Sequence, residues 1–161
     1  MKATTTRPLI IGVGDRWRGD EGVGPAVIAE LRGTMSGTDL SETADDLHRL
    51  QLLWAGRPLA VIVAGMRGGG PRGRIRRVAV PMSDETDEFD EALRLVEPFG
   101  PGVVALCTRT RPLASTPPRV VFIGVEIGPA YDGLGLSLLV ADAVPEVVAR
   151  CQAEIAAFVT I

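Results

Sequence analysis

The chain has 161 residues, of which 46% are apolar and 4% aromatic, and its formal net charge is −3. That length suits one domain, 1–161, around one hydrophobic core. The acidic balance and scarcity of rings exclude a general nucleic-acid surface, which needs basic excess and stacking platforms. No apolar run approaches the roughly 20 residues of a membrane span.

Residues 1–7 are polar and the apolar run after them is too short for a signal peptide, so a cytoplasmic protein is expected. Leu9-Ile10-Ile11-Gly12-Val13-Gly14 is nearly all apolar and ends in glycine, which predicts a strand buried on both faces. A polar loop leads to a helix over residues 24–31, with Pro25 in its first turn and Gly33 past its end. Residues 39–42 form a weaker strand. Asp45 or Asp46 then caps a helix whose apolar face is Leu47, Leu50, Leu53 and Trp54.

Residues 59–64 predict another buried strand, followed by the loop Gly68-Gly69-Gly70-Pro71-Arg72-Gly73 and a strand over 75–80. A helix over about 83–96 carries acidic residues in its first turn and turns Phe89, Leu93 and Val96 inward. Residues 103–107 and 119–125 read as two further strands. Ser137 opens a C-terminal helical region, within which Pro145 starts a second helix that packs Val147, Val148, Cys151 and Ile155 inward. Strands alternating with helices predict an α/β fold: a three-layer, doubly wound sandwich with a mostly parallel sheet covered by helices on both faces. In such folds ligands gather at the carboxyl ends of the strands. Residues 14–22, 64–70 and 128–135 should therefore converge.

The first loop is not a nucleotide fingerprint. Its glycines follow G-x-G-x4-G, and Asp20 and Glu21 would repel a pyrophosphate from the following helix. The run Gly12-Val13-Gly14-Asp15-Arg16-Trp17-Arg18-Gly19-Asp20-Glu21-Gly22-Val23-Gly24 instead resembles the N-terminal signature of the hydrogenase maturation proteases. Those are nickel-dependent endopeptidases that remove a C-terminal extension from the nickel–iron hydrogenase large subunit. The family has asparagine where Asp15 stands. Residues 59–73, Pro117 to Glu126 and Gly133 to Pro145 are similar to later family segments in the same order, and residues 100–115 look like extra sequence.

The resemblance implies a nickel site of glutamate, aspartate and histidine, the metal arriving with the substrate. Mixed oxygen and imidazole donors suit such an ion. The glutamate falls on Glu21, the aspartate on Ala64 and the histidine near Glu85. The set has become Glu-Ala-Glu, to which Asp20 is the nearest possible addition unless it caps the helix. Glu21, Glu85 and Asp20 are then the candidate metal ligands, suited to no metal or to a weakly held divalent cation. Asp84 competes with Glu85. His48, the only histidine, sits on a polar helix face and reads as a surface residue.

Other chemistry is sparse. Ser137 reads as a helix cap, and Cys107 and Cys151 as small buried hydrophobes without a partner histidine. Lys2, the only lysine, lies at the terminus and offers no catalytic amine. The arginines at 67, 72, 74, 76 and 77 form either a solvated edge or a receptor for an acidic peptide or a C-terminal carboxylate, with Arg67, Arg72, Gly68 and Gly69 as the substrate-binding rim. Three functions follow: a maturation endopeptidase, a non-proteolytic binding or assembly factor on the same scaffold, or a different hydrolase using Asp20, Glu21 and Glu85. The implied partner of the first two is a precursor protein such as a hydrogenase large subunit.

Overall fold

Leu9, Ile10 and Ile11 are all within 1% of complete burial, so the first strand is covered on both faces, as its unbroken apolar run requires. A computed structural model describes residues 5–83, 86–129 and 132–160. Along them run β1 (Leu9–Val13), α1 (Val23–Leu31), β2 (Asp39–Thr43), α2 (Leu47–Trp54), β3 (Ala60–Met66), β4 (Ile75–Pro81), α3 (Asp87–Leu95), α4 (Pro101–Thr110), β5 (Arg119–Glu126) and α5 (Leu138–Val159). Short 3-10 turns at Gly19–Gly22 and Glu97–Phe99 precede α1 and α4.

The sheet order is β2-β1-β3-β5-β4. Neighbours pair in parallel except β4, which runs antiparallel to β5 at one edge. On one face, Ile10, Val61, Val63, Val121 and Ile123 pack against Val27 and Ile28 of α1 and Val140, Val147 and Cys151 of α5. On the other, Ile11, Ile62, Val80 and Phe122 pack against Leu50 and Trp54 of α2, Phe89 of α3, and Leu106 and Cys107 of α4. This is the expected three-layer α/β sandwich. The chain leaves β1 toward β2 and returns across it to β3, which creates a switch point at the carboxyl ends of β1 and β3.

Asp46 caps α2 by accepting the Arg49 N–H at 3.1 Å, one of the two caps expected there. Thr86 caps α3 by accepting the Phe89 N–H, so the helix starts at Asp87, later than the expected residue 83. Asp84 and Glu85 lie outside the described residues.

Two expectations are corrected. Residues 103–107 are not a strand but the middle of α4. The β-branched pair Val103-Val104 favours a strand locally, yet Pro101 in the first turn and buried Leu106, Cys107 and Thr110 follow a helical stripe. Nor does Pro145 begin a new helix. It lies inside α5, which runs 22 residues without a break. Val140, Ala143, Val144 and Val147 bury both sides of the proline against the sheet, which offsets the missing N–H. No helix among the described residues is long and apolar enough to cross a membrane.

Candidate functional site

Gly14 ends β1 at φ +148°, and a Cβ there would come within 1.8 Å of the Glu21 carbonyl oxygen. The 3-10 turn therefore folds back tightly over the strand end. Gly24 in α1 is also closely approached: a Cβ would stand 2.6 Å from the carbonyls of Val13 and Val63. These two glycines hold the loop and α1 down on the switch point, and with them the adjacent acids Asp20 and Glu21. Asp15 accepts the Trp17 N–H at 2.9 Å, the same turn bond an asparagine oxygen could accept.

The two acids point to different neighbours. Asp20 is 3% exposed, and its carboxylate accepts the Ser137 N–H at 2.6 Å and the Ser137 hydroxyl at 2.7 Å. The Arg72 Nε lies 3.8 Å from the same carboxylate. Asp20 thus ties the first loop to the head of α5 and does not cap its own helix, where Gly22 is the N-cap without a side-chain bond. Ser137 does occupy the N-cap position of α5, but its hydroxyl donates to Asp20 instead of accepting from its own helix.

Glu21 faces the opening at the carboxyl ends of β1 and β3. Its Oε1 accepts from Arg67 Nη2 at 3.2 Å and its Oε2 lies 3.3 Å from Arg18 Nε. Ala64, on β3, lines the same opening. The cavity below has a volume of about 290 Å³. Its floor and walls are Leu50, Ile62, Phe99, Val103 and Phe122, and its mouth carries Asp15, Arg18, Glu21, Asp45 and Arg67. Arg67 is fixed through its backbone N–H to Pro98 O at 2.9 Å, so its guanidinium spans from the β3 end to the first loop.

The glycine loop after β3 is organised by a residue that sequence reasoning missed. Glu126, 2% exposed at the end of β5, accepts the Gly68 N–H at 2.8 and 3.0 Å and the Gly70 N–H at 2.6 Å. The expected rim residue Gly68 therefore gives its N–H to the chain's own carboxylate, while Gly69, at φ +79°, turns the loop between the two donors. The available signal was a glutamate ending an otherwise apolar strand, since a buried carboxylate requires donors.

The arginine cluster does not form one patch. Arg67 reaches Glu21, Arg72 reaches Asp20, Arg76 donates to Leu95 O at 3.3 Å, and Arg77 pairs with Glu154 of α5. His48 is exposed on α2. Cys107 and Cys151 are buried and free, and burial raises both thiols to about 12, far from the thiolate that nucleophilic chemistry needs.

The three expected segments do converge: Gly19 N–H donates to Gly133 O, Gly133 N–H donates to Trp17 O, and the loop after β3 joins through Arg67. Among the described residues, no group of three or more His, Cys, Asp or Glu is gathered to hold a metal. At the switch point Ala64 offers no side-chain donor, and Glu21 is paired with the Arg18 and Arg67 guanidiniums.

The architecture is a doubly wound sandwich with a cleft at the carboxyl edge of its sheet. More specifically, it is the fold of the hydrogenase maturation endopeptidases. The hydrogenase maturating endopeptidase HybD from Escherichia coli superposes with a TM-score of 0.75 at 16% identity, over 93% of this chain and 92% of that one. A hydrogenase 2 maturation peptidase from a Thaumarchaeota archaeon gives 0.68 at 22% identity, over 93% and 98%. The nickel–iron hydrogenase maturation protease HybD from Thermococcus kodakarensis gives 0.62 at 19% identity, over 92% and 98%. No protein-family model matches the sequence, and no curated protein matches it.

Proposed function

We propose that this chain is a non-proteolytic binding or assembly factor built on the maturation-endopeptidase scaffold. Its partner is a precursor protein such as a hydrogenase large subunit, received at the carboxyl edge of the sheet. The observation that supports this reading is the Arg18–Glu21–Arg67 bridge above Ala64. Of the three positions expected to face nickel, one lacks a donor and one is neutralised by guanidinium. Arginine neutralises a carboxylate without offering any acceptor to a metal. Asp20 is committed to Ser137, which argues against its use as a substitute ligand.

Arg67, Arg72, Gly69 and the first loop form the rim offered to the partner. Half-exposed guanidiniums suit an acidic segment through paired hydrogen bonds. Calorimetric titration of metal-stripped protein with nickel, zinc, manganese and magnesium tests the reading. The expected result is no saturable uptake of nickel or zinc, and capture of an extended large-subunit precursor without cleavage. Saturable nickel binding that Glu21→Gln removes, or cleavage of the precursor, would overturn it and establish a peptidase.

A further inference from the structure

The cavity beneath the bridge has a composition that a peptide-docking rim alone does not require. Its depth is lined by Leu50, Ile62, Phe99, Val103 and Phe122, and Leu50, Ile62 and Phe122 are also part of the core. Ala64 faces the same layer as Ile62, two residues along β3, and its methyl leaves room that a longer side chain would fill. Gly102 lets α4 approach α2 so closely that a Cβ there would touch Leu47 at 2.5 Å, which closes the far wall. The result is a slot of about 290 Å³ whose lining also carries the arginines and acids of the mouth.

Volume and charge narrow the occupant. The slot lies at the lower limit for small-molecule sites and corresponds to roughly ten water molecules of liquid volume. At the mouth the acceptors are largely engaged. Both Glu21 oxygens contact guanidinium, and Asp15 accepts the Trp17 N–H, leaving Asp45 exposed on the lip. The donors are not: a guanidinium carries five N–H groups, and each arginine contributes one contact to Glu21 at 3.2 or 3.3 Å. Arg18 and Arg67 are each about half exposed, at 51% and 49%. We infer that the slot binds a small carboxylic acid, its apolar body between the sheet and α4 and its carboxylate on Arg67 and Arg18.

This inference rests on the reading that Glu21 belongs to the arginines and not to a metal. Methyl-detected NMR titration with hexanoate and with hexanamide tests it. Hexanoate should shift the methyls of Leu50, Ile62 and Val103 and saturate at or below about 1 mM, whereas hexanamide should bind at least about tenfold more weakly. Arg18→Gln with Arg67→Gln should erase that difference. Ala64→Leu, which fills the slot, should abolish both ligands while the spectrum stays folded. Equal affinity for acid and amide, or binding that survives Ala64→Leu, would overturn the inference. So would saturable binding of a leucine-terminated peptide with none of hexanoate, because the slot would then read a protein terminus. Loss of hexanoate binding in protein that takes up no nickel sinks this inference alone, whereas nickel uptake sinks the functional reading whatever hexanoate does.

Discussion

Asp39, Glu42 and Glu21 are each held between two arginines, and of these Asp39 and Glu21 stand at opposite ends of the sheet. Asp39 opens β2 at the amino edge and contacts Arg57 at 2.5 Å and Arg7 at 2.8 Å. Glu21 stands at the carboxyl edge, with Arg67 at 3.2 Å and Arg18 at 3.3 Å. Arg57 is 16% exposed and also donates to the Arg7 carbonyl, so its position is set by the fold. Arg18 and Arg67 are half solvated and bridge two loops. The same residue types therefore make a clamp where strands begin and a loose clasp where α/β folds bind ligands. Contact length and the burial of Arg57, not composition, separate the structural triad from the exchangeable one.

Glu126 extends the comparison to a carboxylate with no arginine bonded to it. It is buried at the carboxyl edge and satisfied by the N–H groups of Gly68 and Gly70. If the edge as a whole were loose, replacing Glu126 would matter little. Instead Glu126→Ala should cost about 3 kcal/mol, because it removes charge-assisted bonds and orphans amides in a partly buried loop. At this chain size that lowers Tm by roughly 6–12 °C. Urea unfolding checks it, and a loss below about 1 kcal/mol would show that the loop holds itself.

Asp39 gives the next effect. Hydrogen bonds from Arg57, then from Arg7, hold its carboxyl below the ordinary value of 3.8. A depressed folded-state value means the contribution is present above the unfolded value and is lost as pH falls through the folded one. With the carboxylate 37% exposed, solvent screening limits the loss in Asp39→Asn to about 1 kcal/mol at neutral pH. The substitution should also flatten the acid limb of stability between about pH 4 and pH 2. An unchanged acid limb would mean the two guanidiniums do not act on Asp39 in solution.

The fold was legible in the sequence because buried parallel strands carry continuous apolar runs, and β1, β3 and β5 all do. Local signals misled where tertiary packing decided. Val103-Val104 favours a strand until Leu106 and Cys107 are seen packing on the α2 side, and Pro145 reads as a boundary until both sides of it are found on the sheet. The site was half legible. The resemblance pointed to Glu21 through the first-loop signature and to Ala64 through the later segment 59–73, and both line one cavity, while the Arg18–Glu21 pair has helical i,i+3 spacing. Arg67 lies 46 positions from Glu21, and nothing local announces that pair. Asp20 to Ser137 spans 117 positions, so a residue readable as a ligand or a cap became a strut between two loops.

The smallest expected stability change belongs to Glu21 itself, and it sharpens the contrast with Asp39 most. Glu21→Gln keeps the shape and one acceptor oxygen but removes the charge between Arg18 and Arg67. Both contacts are exposed and single, so stability should move by less than about 0.5 kcal/mol at neutral pH. The freed positive charge has a second consequence that a structural clamp would not show. Glu21 competes with any carboxylate approaching the mouth, so its neutralisation should tighten hexanoate by several-fold, with the gain fading at high salt as the guanidiniums are screened. If Glu21→Gln instead destabilised the fold as much as Asp39→Asn, the clasp would be a second clamp. The difference between the two ends of the sheet would then lie in their neighbours and not in how firmly each carboxylate is held.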